Sequence, residues 1–184
     1  MMCGSIQNSK LLGGWNLKMR KADRLPQDIA SGFYEAIGTK LGVQYTPVYW
    51  VADQIVNGKN IKMAAKRSTL VSGGAQVINY VIVTFNIPAN SVGGKGSKLI
   101  SEESATDFVL RDEIEKGVKK ALKEFTGTGN EPLMEIGSQV VKGVNYHFLC
   151  ESKATYVNAE PYLTRVAINN FQDNWCIVEI EKLS

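Results

Sequence analysis

The sequence predicts an α+β fold made of two copies of one unit, each a single helix packed on an antiparallel sheet of about four to five strands. Three observations predict it. Gln54-Ile55-Val56-Asn57-Gly58 and Gln139-Val140-Val141-Lys142-Gly143 share the pattern Gln-x-Val-x-Gly, 85 positions apart. The same register places Ile29 on Ile114, Ala36 on Ala121, Pro47 on Pro132, Asn60 on Asn145 and Val81 on Val166. Each copy also holds one apolar stripe at helical spacing, and each stripe is followed by runs rich in β-branched and aromatic residues. The repeat divides the 184 residues into domains over 1–102 and 103–184, each near ordinary domain size.

The elements follow in order. Residues 1–24 are polar and basic with little periodicity. Within them, Leu11-Leu12-Gly13-Gly14 sets an apolar pair before a flexible glycine pair, and a short strand is expected over 15–19. Pro26 suits the first turn of a helix. Ile29, Phe33, Ala36, Ile37 and Leu41 then recur at helical spacing, and Gly42 ends the run. In the second copy Asp112 is the cap candidate, Ile114, Val118, Ala121, Leu122 and Phe125 form the stripe, and Gly127 follows it. Strands are expected over 45–54, 59–71 and 76–87, and again over 131–139, 144–156 and 162–170. The Gln-x-Val-x-Gly pentad forms the turn between the first two strands of each set. A loop over 88–97 with three glycines closes the first copy. A short turn over 171–175 and a strand over 176–183 close the second. Residues 101–110, polar and carrying three acids, read as the linker.

Composition removes several function classes. The hydrophobic fraction of 44% and charged fraction of 21% are ordinary for a globular chain. Net charge is +3 with acids and bases interleaved, as over 112–123, which reads as a solvated helix face. No basic stripe runs beside stacking aromatics, so no nucleic-acid partner is expected. No run approaches the ~20 apolar residues of a membrane span. No phosphate loop, dinucleotide fingerprint or metal cluster appears, so no cofactor is expected. Cys150 and Cys176 fall on strands separated by a third, roughly 10 Å apart, too far for a disulfide. With Cys3 they read as free thiols, which suits a reducing compartment. The first residues lack a charged start leading into an apolar core, so the expectation is cytoplasmic as written, or secreted if a leader has been trimmed. His147 and Cys150 are three apart on one strand and point to opposite faces. No nucleophilic pair is expected from them, and no enzyme.

A Gln-x-Val-x-Gly hairpin after a helix and a strand, with Val144-Asn145-Tyr146 directly following Gly143, resembles the cystatins and stefins. That resemblance implies two cystatin-like domains. It also implies reversible, non-covalent inhibition of papain-like cysteine proteases by an N-terminal trunk and hairpin loops wedged into the cleft. The implied trunk is Leu11, Leu12, Gly13 and Gly14. The implied first-domain loop is Gln54, Ile55, Val56, Asn57 and Gly58. In the second domain the implied contacts are Gln139, Val140, Val141, Lys142, Gly143 and Trp175. Trp175 falls where the family carries a tryptophan loop, although Asn174 precedes it in place of proline. The first copy has Pro88 and no tryptophan there, and the second has no glycine over 101–110 to serve as a trunk. The residue types suit such a wedge. Glycine permits positive φ and close backbone approach, valine is a compact apolar contact, and glutamine offers donor and acceptor. The alternative, from a different class, is a tandem protein-binding module without protease inhibition.

Overall fold

The computed structural model describes residues 14–183. Along the chain come β1 (Asn16–Lys21), α1 (Gln27–Ile37), β2 (Val43–Val56), β3 (Gly58–Leu70), β4 (Gln76–Ile87) and β5 (Lys98–Ser104). Then follow α2 (Asp112–Lys123), β6 (Thr128–Val141), β7 (Gly143–Ala154), β8 (Tyr162–Phe171) and β9 (Asn174–Lys182). β1 to β5 form one antiparallel sheet in sequence order, and β6 to β9 form a second. The chain divides between Asp107 and Phe108 into two compact units, each holding one sheet.

This balance corrects the expected fold class. The chain is 55% strand and 17% helix: a mostly β protein with two sheets of five and four strands, not an α+β pair of cystatin-like helix-on-sheet domains. The difference lies in element length. β2 and β6 run 14 residues each, whereas α1 and α2 run only 11 and 12. The first stripe was expected to reach Leu41, but Gly38 at φ 62° ends α1, and Leu41 is fully exposed. α2 likewise stops at Lys123 and leaves Phe125 exposed. The expected linker over 101–110 begins as strand. Glu102 of β5 accepts a hydrogen bond from the Tyr45 hydroxyl at 2.9 Å and pairs with Arg67 at 2.6 Å. A polar segment is thereby held on the sheet.

Alternation along the strands supplies each core. In the first unit Ile29, Phe33 and Ile37 of α1 join Ile61, Met63 and Ala65 of β3 and Val81, Val83 and Phe85 of β4. In the second, Ile114, Val118 and Ala121 of α2 join Phe148, Cys150, Val166, Ile168 and Trp175. The repeat is written into the backbone as well. β2 has register shifts between Pro47 and Tyr49 and between Trp50 and Ala52; β6 has them between Pro132 and Met134 and between Glu135 and Gly137. All four positions keep the 85-residue spacing. The spacing does not survive to the next strand. Lys59 pairs with Ile87, but Val144 pairs with Asn170. The second hairpin is therefore shorter by two residues, and Val166 matches Val83 rather than Val81.

The β8–β9 turn carries backbone strain. Phe171 pairs with Asn174, and between them Gln172 and Asp173 both sit in the left-handed region, at φ 52° and 58°. Two successive left-handed residues make the tight hairpin turn that Asn-Gly forms most readily, and glutamine is poorly suited to it. Replacing Gln172 with Asn and Asp173 with Gly is expected to raise stability by about 1 kcal/mol, read as a higher midpoint in denaturant unfolding.

Candidate functional site: two hairpin tips

Each pentad forms the tip of a long hairpin. In the first unit Gln54 faces Asn60, Ile55 faces Lys59 and Val56 faces Gly58, which leaves Asn57 at the apex. In the second, Gln139 faces Asn145, Val140 faces Val144 and Val141 faces Gly143, with Lys142 at the apex. Both glycines have left-handed backbones, φ 98° at Gly58 and 89° at Gly143. Neither has room for a side chain. A methyl group on Gly58 would collide with the carbonyl oxygen of Ile87, and one on Gly143 with that of Asn170. Glycine thus seats each tip against the end of the following strand.

Below each apex runs a row of amides. Asn60 Nδ2 donates to Gln54 Oε1 at 3.1 Å, and Asn86 Nδ2 donates to Asn60 Oδ1 at 2.8 Å. In the second unit Asn169 Nδ2 lies 2.7 Å from Asn145 Oδ1 and 3.3 Å from the Lys142 carbonyl, with Gln139 buried opposite Asn145. Gln54 is therefore tied into the base of its hairpin, and Gln139 is buried at the matching place. The outward groups include three apolar side chains, Ile55 at 68% exposed, Val56 at 44% and Val140 at 56%, beside the exposed apex residues Asn57 and Lys142. Lys142 lies over the Phe171 ring at 5.0 Å.

Other segments flank the tips. In the first unit Gly14, at φ 77°, lies beside the Gln54 amide, and β1 pairs Asn16 with Asp53. The loop over 88–97 starts against Gly58 and packs onto α1, with Gly94 pressed on the backbone of Asp28 and Gly32. Ser97 Oγ donates to the Gly94 carbonyl at 2.6 Å, and the loop carries the exposed Val92. An arm, a tip and a loop thus meet at one end of the first sheet. The second unit has the tip and the turn over 171–174 but, among the described residues, no strand corresponding to β1. The expected trunk residues Leu11, Leu12 and Gly13 lie outside the described residues.

Trp175 takes a different place from the one the sequence suggested. It is 9% exposed, belongs to the core under α2 and stacks on Tyr146 with ring centroids 5.7 Å apart. Its indole fills the space over Gly117, where any side chain would overlap it. Gly32 is the counterpart of Gly117 in α1, 85 positions earlier, and leaves room for Ser97 and Ile87. The sequence expectation includes neither these mid-helix glycines nor the third amides Asn86 and Asn169. The glycines were visible as a further match in the repeat. The amides were hidden by the two-residue shift in register.

Cys150 and His147 are spent on structure. Cys150 faces the core under α2, and burial pushes its thiol up to about 12. His147 is buried, and its Nδ1 accepts from Arg165 Nη1 at 3.2 Å. Burial and the Arg165 charge lower its pKa to about 4. Arg165 itself is held by Glu179 at 2.7 Å and Glu181 at 3.2 Å. Among the described residues no cluster of acids, histidines and cysteines could hold a metal, and no helix is long and apolar enough to cross a membrane. No family model matches the chain, and no curated protein matches it.

Two outcomes follow. Gly58→Ala and Gly143→Ala should each destabilise by about 1–3 kcal/mol, from the left-handed backbone and the carbonyl behind it, measured by chemical denaturation. The His147 contribution has a defined sign. Its folded pKa lies below the unfolded value of 6.5, so its contribution is complete above pH 6.5 and is lost as pH falls towards 4. His147→Gln keeps an acceptor for Arg165 and removes the titration. It should flatten the fall in stability across that window by up to about 1.4 kcal/mol per pH unit.

Proposed function

We propose that the chain is a reversible, non-covalent inhibitor of papain-like cysteine proteases, akin in its tip sequences to the cystatins and stefins. The observation that carries this reading is the pair of tips, each seated by glycine and an amide row, each turning β-branched side chains to solvent. A loop already held in its binding shape loses little entropy on association, so contact area becomes affinity efficiently. Each apolar side chain buried in a cleft contributes roughly 1.5–3 kcal/mol. The proposed contacts in the first unit are Ile55, Val56 and Asn57, flanked by the arm at Gly14 and by the loop carrying Val92. Those in the second are Val140, Val141 and Lys142. Gln54 and Gln139 act as positioning residues. Trp175 is left out because its indole is committed to Gly117.

One observation favours a second reading, a tandem binding module that does not inhibit proteases. Burial of Trp175 removes the aromatic anchor expected beside the second tip. Titrating the full chain against papain with a fluorogenic peptide separates the two. Inhibition at nanomolar concentration is expected. The double variant Ile55→Asp, Val140→Asp should weaken it about 100-fold or more, while the unfolding free energy stays within about 0.5 kcal/mol because both side chains are exposed. Absence of inhibition at ~10 µM would leave the binding module as the better account.

A further inference from the structure

The two copies differ at one sheet edge. β1 lies along the outer edge of β2, pairing Asn16 with Asp53, Leu17 with Ala52, Arg20 with Trp50 and Lys21 with Tyr49. The matching positions on β6 are Ser138, Gly137, Glu135 and Met134. No described strand pairs with that side of β6, and the second sheet ends there. The chain has no spare segment in the matching place. Positions 101–106, which follow β1 by 85 residues, are already used by β5 and the helical turn Ala105–Asp107. An open edge is a row of backbone donors and acceptors that only another extended chain completes.

The side chains say which kind of chain. β6 contains Glu131 and Glu135 and no Lys or Arg. Glu135 sits opposite Phe148, a residue of the core under α2, so it points to the α2 side of the sheet. It is half-buried, and its carboxylate has no ion pair or hydrogen bond among the described residues. Burial raises its pKa, opposed by the charge of Arg111. In the first copy this position is Trp50. There Lys18 of β1 lies 5.6 Å from the ring centroid and pairs with Asp53 at 3.2 Å. β1 carries three bases in six residues, Lys18, Arg20 and Lys21. The first half of β6 also borders a groove of about 730 Å³ floored by Phe108, Leu110, Val118, Leu122 and Pro132. Val118 and Asn130, which both line it, stand where the first copy has the larger Phe33 and Tyr45.

We infer that the β6 edge over 134–138 accepts an extended, basic segment of a partner polypeptide as a fifth strand, with a Lys or Arg of that segment against Glu135. The pairing uses none of the proposed tip contacts, so it stands or falls apart from protease inhibition. The probe is a fluorescent peptide with the sequence of residues 15–21, Trp-Asn-Leu-Lys-Met-Arg-Lys, titrated into the full chain. Saturable binding is expected, with slowed amide exchange over 134–138. Glu135→Lys should weaken it about tenfold, the worth of one partly buried ion pair. A charge-reversed peptide, with its three bases replaced by Glu, should bind the Glu135→Lys protein about tenfold better than the original protein. That rescue also shows that the variant is folded. No saturable binding up to about 1 mM, or equal affinity of the basic peptide for both proteins, overturns the inference.

Discussion

Everything at the two tips depends on a glycine that has no room for a side chain. Gly58 and Gly143 hold a left-handed backbone and lie against a main-chain carbonyl of the next strand. Any other residue would have to push β3 from β4, or β7 from β8. With the glycine seated, the hairpin base closes through amides, and the residues beside it have nowhere to point but out. The exposure of Ile55, Val56 and Val140 is thus a consequence of packing behind them. A single exposed apolar residue is ordinary. Those at the apices of the two matched turns are the surface the proposed partner would cover.

The copies share a frame and diverge in what fills it. Gly32 and Gly117 open the same gap in the middle of their helices. In the first unit a glycine-rich loop enters, held by the Ser97–Gly94 hydrogen bond. In the second the gap takes the Trp175 indole. A tryptophan near a loop end looks like a contact residue, and the helix glycine packed against it decides otherwise. The outer sheet edges diverge in the same way. One keeps a basic strand against Asp53 and Trp50, and the other, with Glu135 on it, has no partner strand among the described residues.

The protease inhibition proposed for this chain asks little of the fold class. It depends on what the apices present and how firmly they are held. Stiffness matters because a cleft binder gains from area only what it does not lose in ordering. The amide rows and the seated glycines supply that stiffness: Gln139 is buried, and the Gln54 side chain is tied to Asn60.

The sequence by itself determined the repeat, the two pentad turns and the apolar stripes of both helices, because local backbone chemistry and periodicity are written in neighbouring residues. Gly58, Gly143, Ile29 and Ile114 were legible for that reason. Tertiary structure decided the rest. The proportion of strand to helix depended on how far β2 and β6 extend and on Gly38 stopping α1 early. The acidic stretch at Glu102 became strand because Tyr45 and Arg67, far back in the chain, hold its carboxylate. Trp175 became core because Gly117 lies above it, and Asn86 joined the amide row only through pairing across β3. Each of these turns on contacts between residues distant in sequence, whose cost and gain no local pattern records.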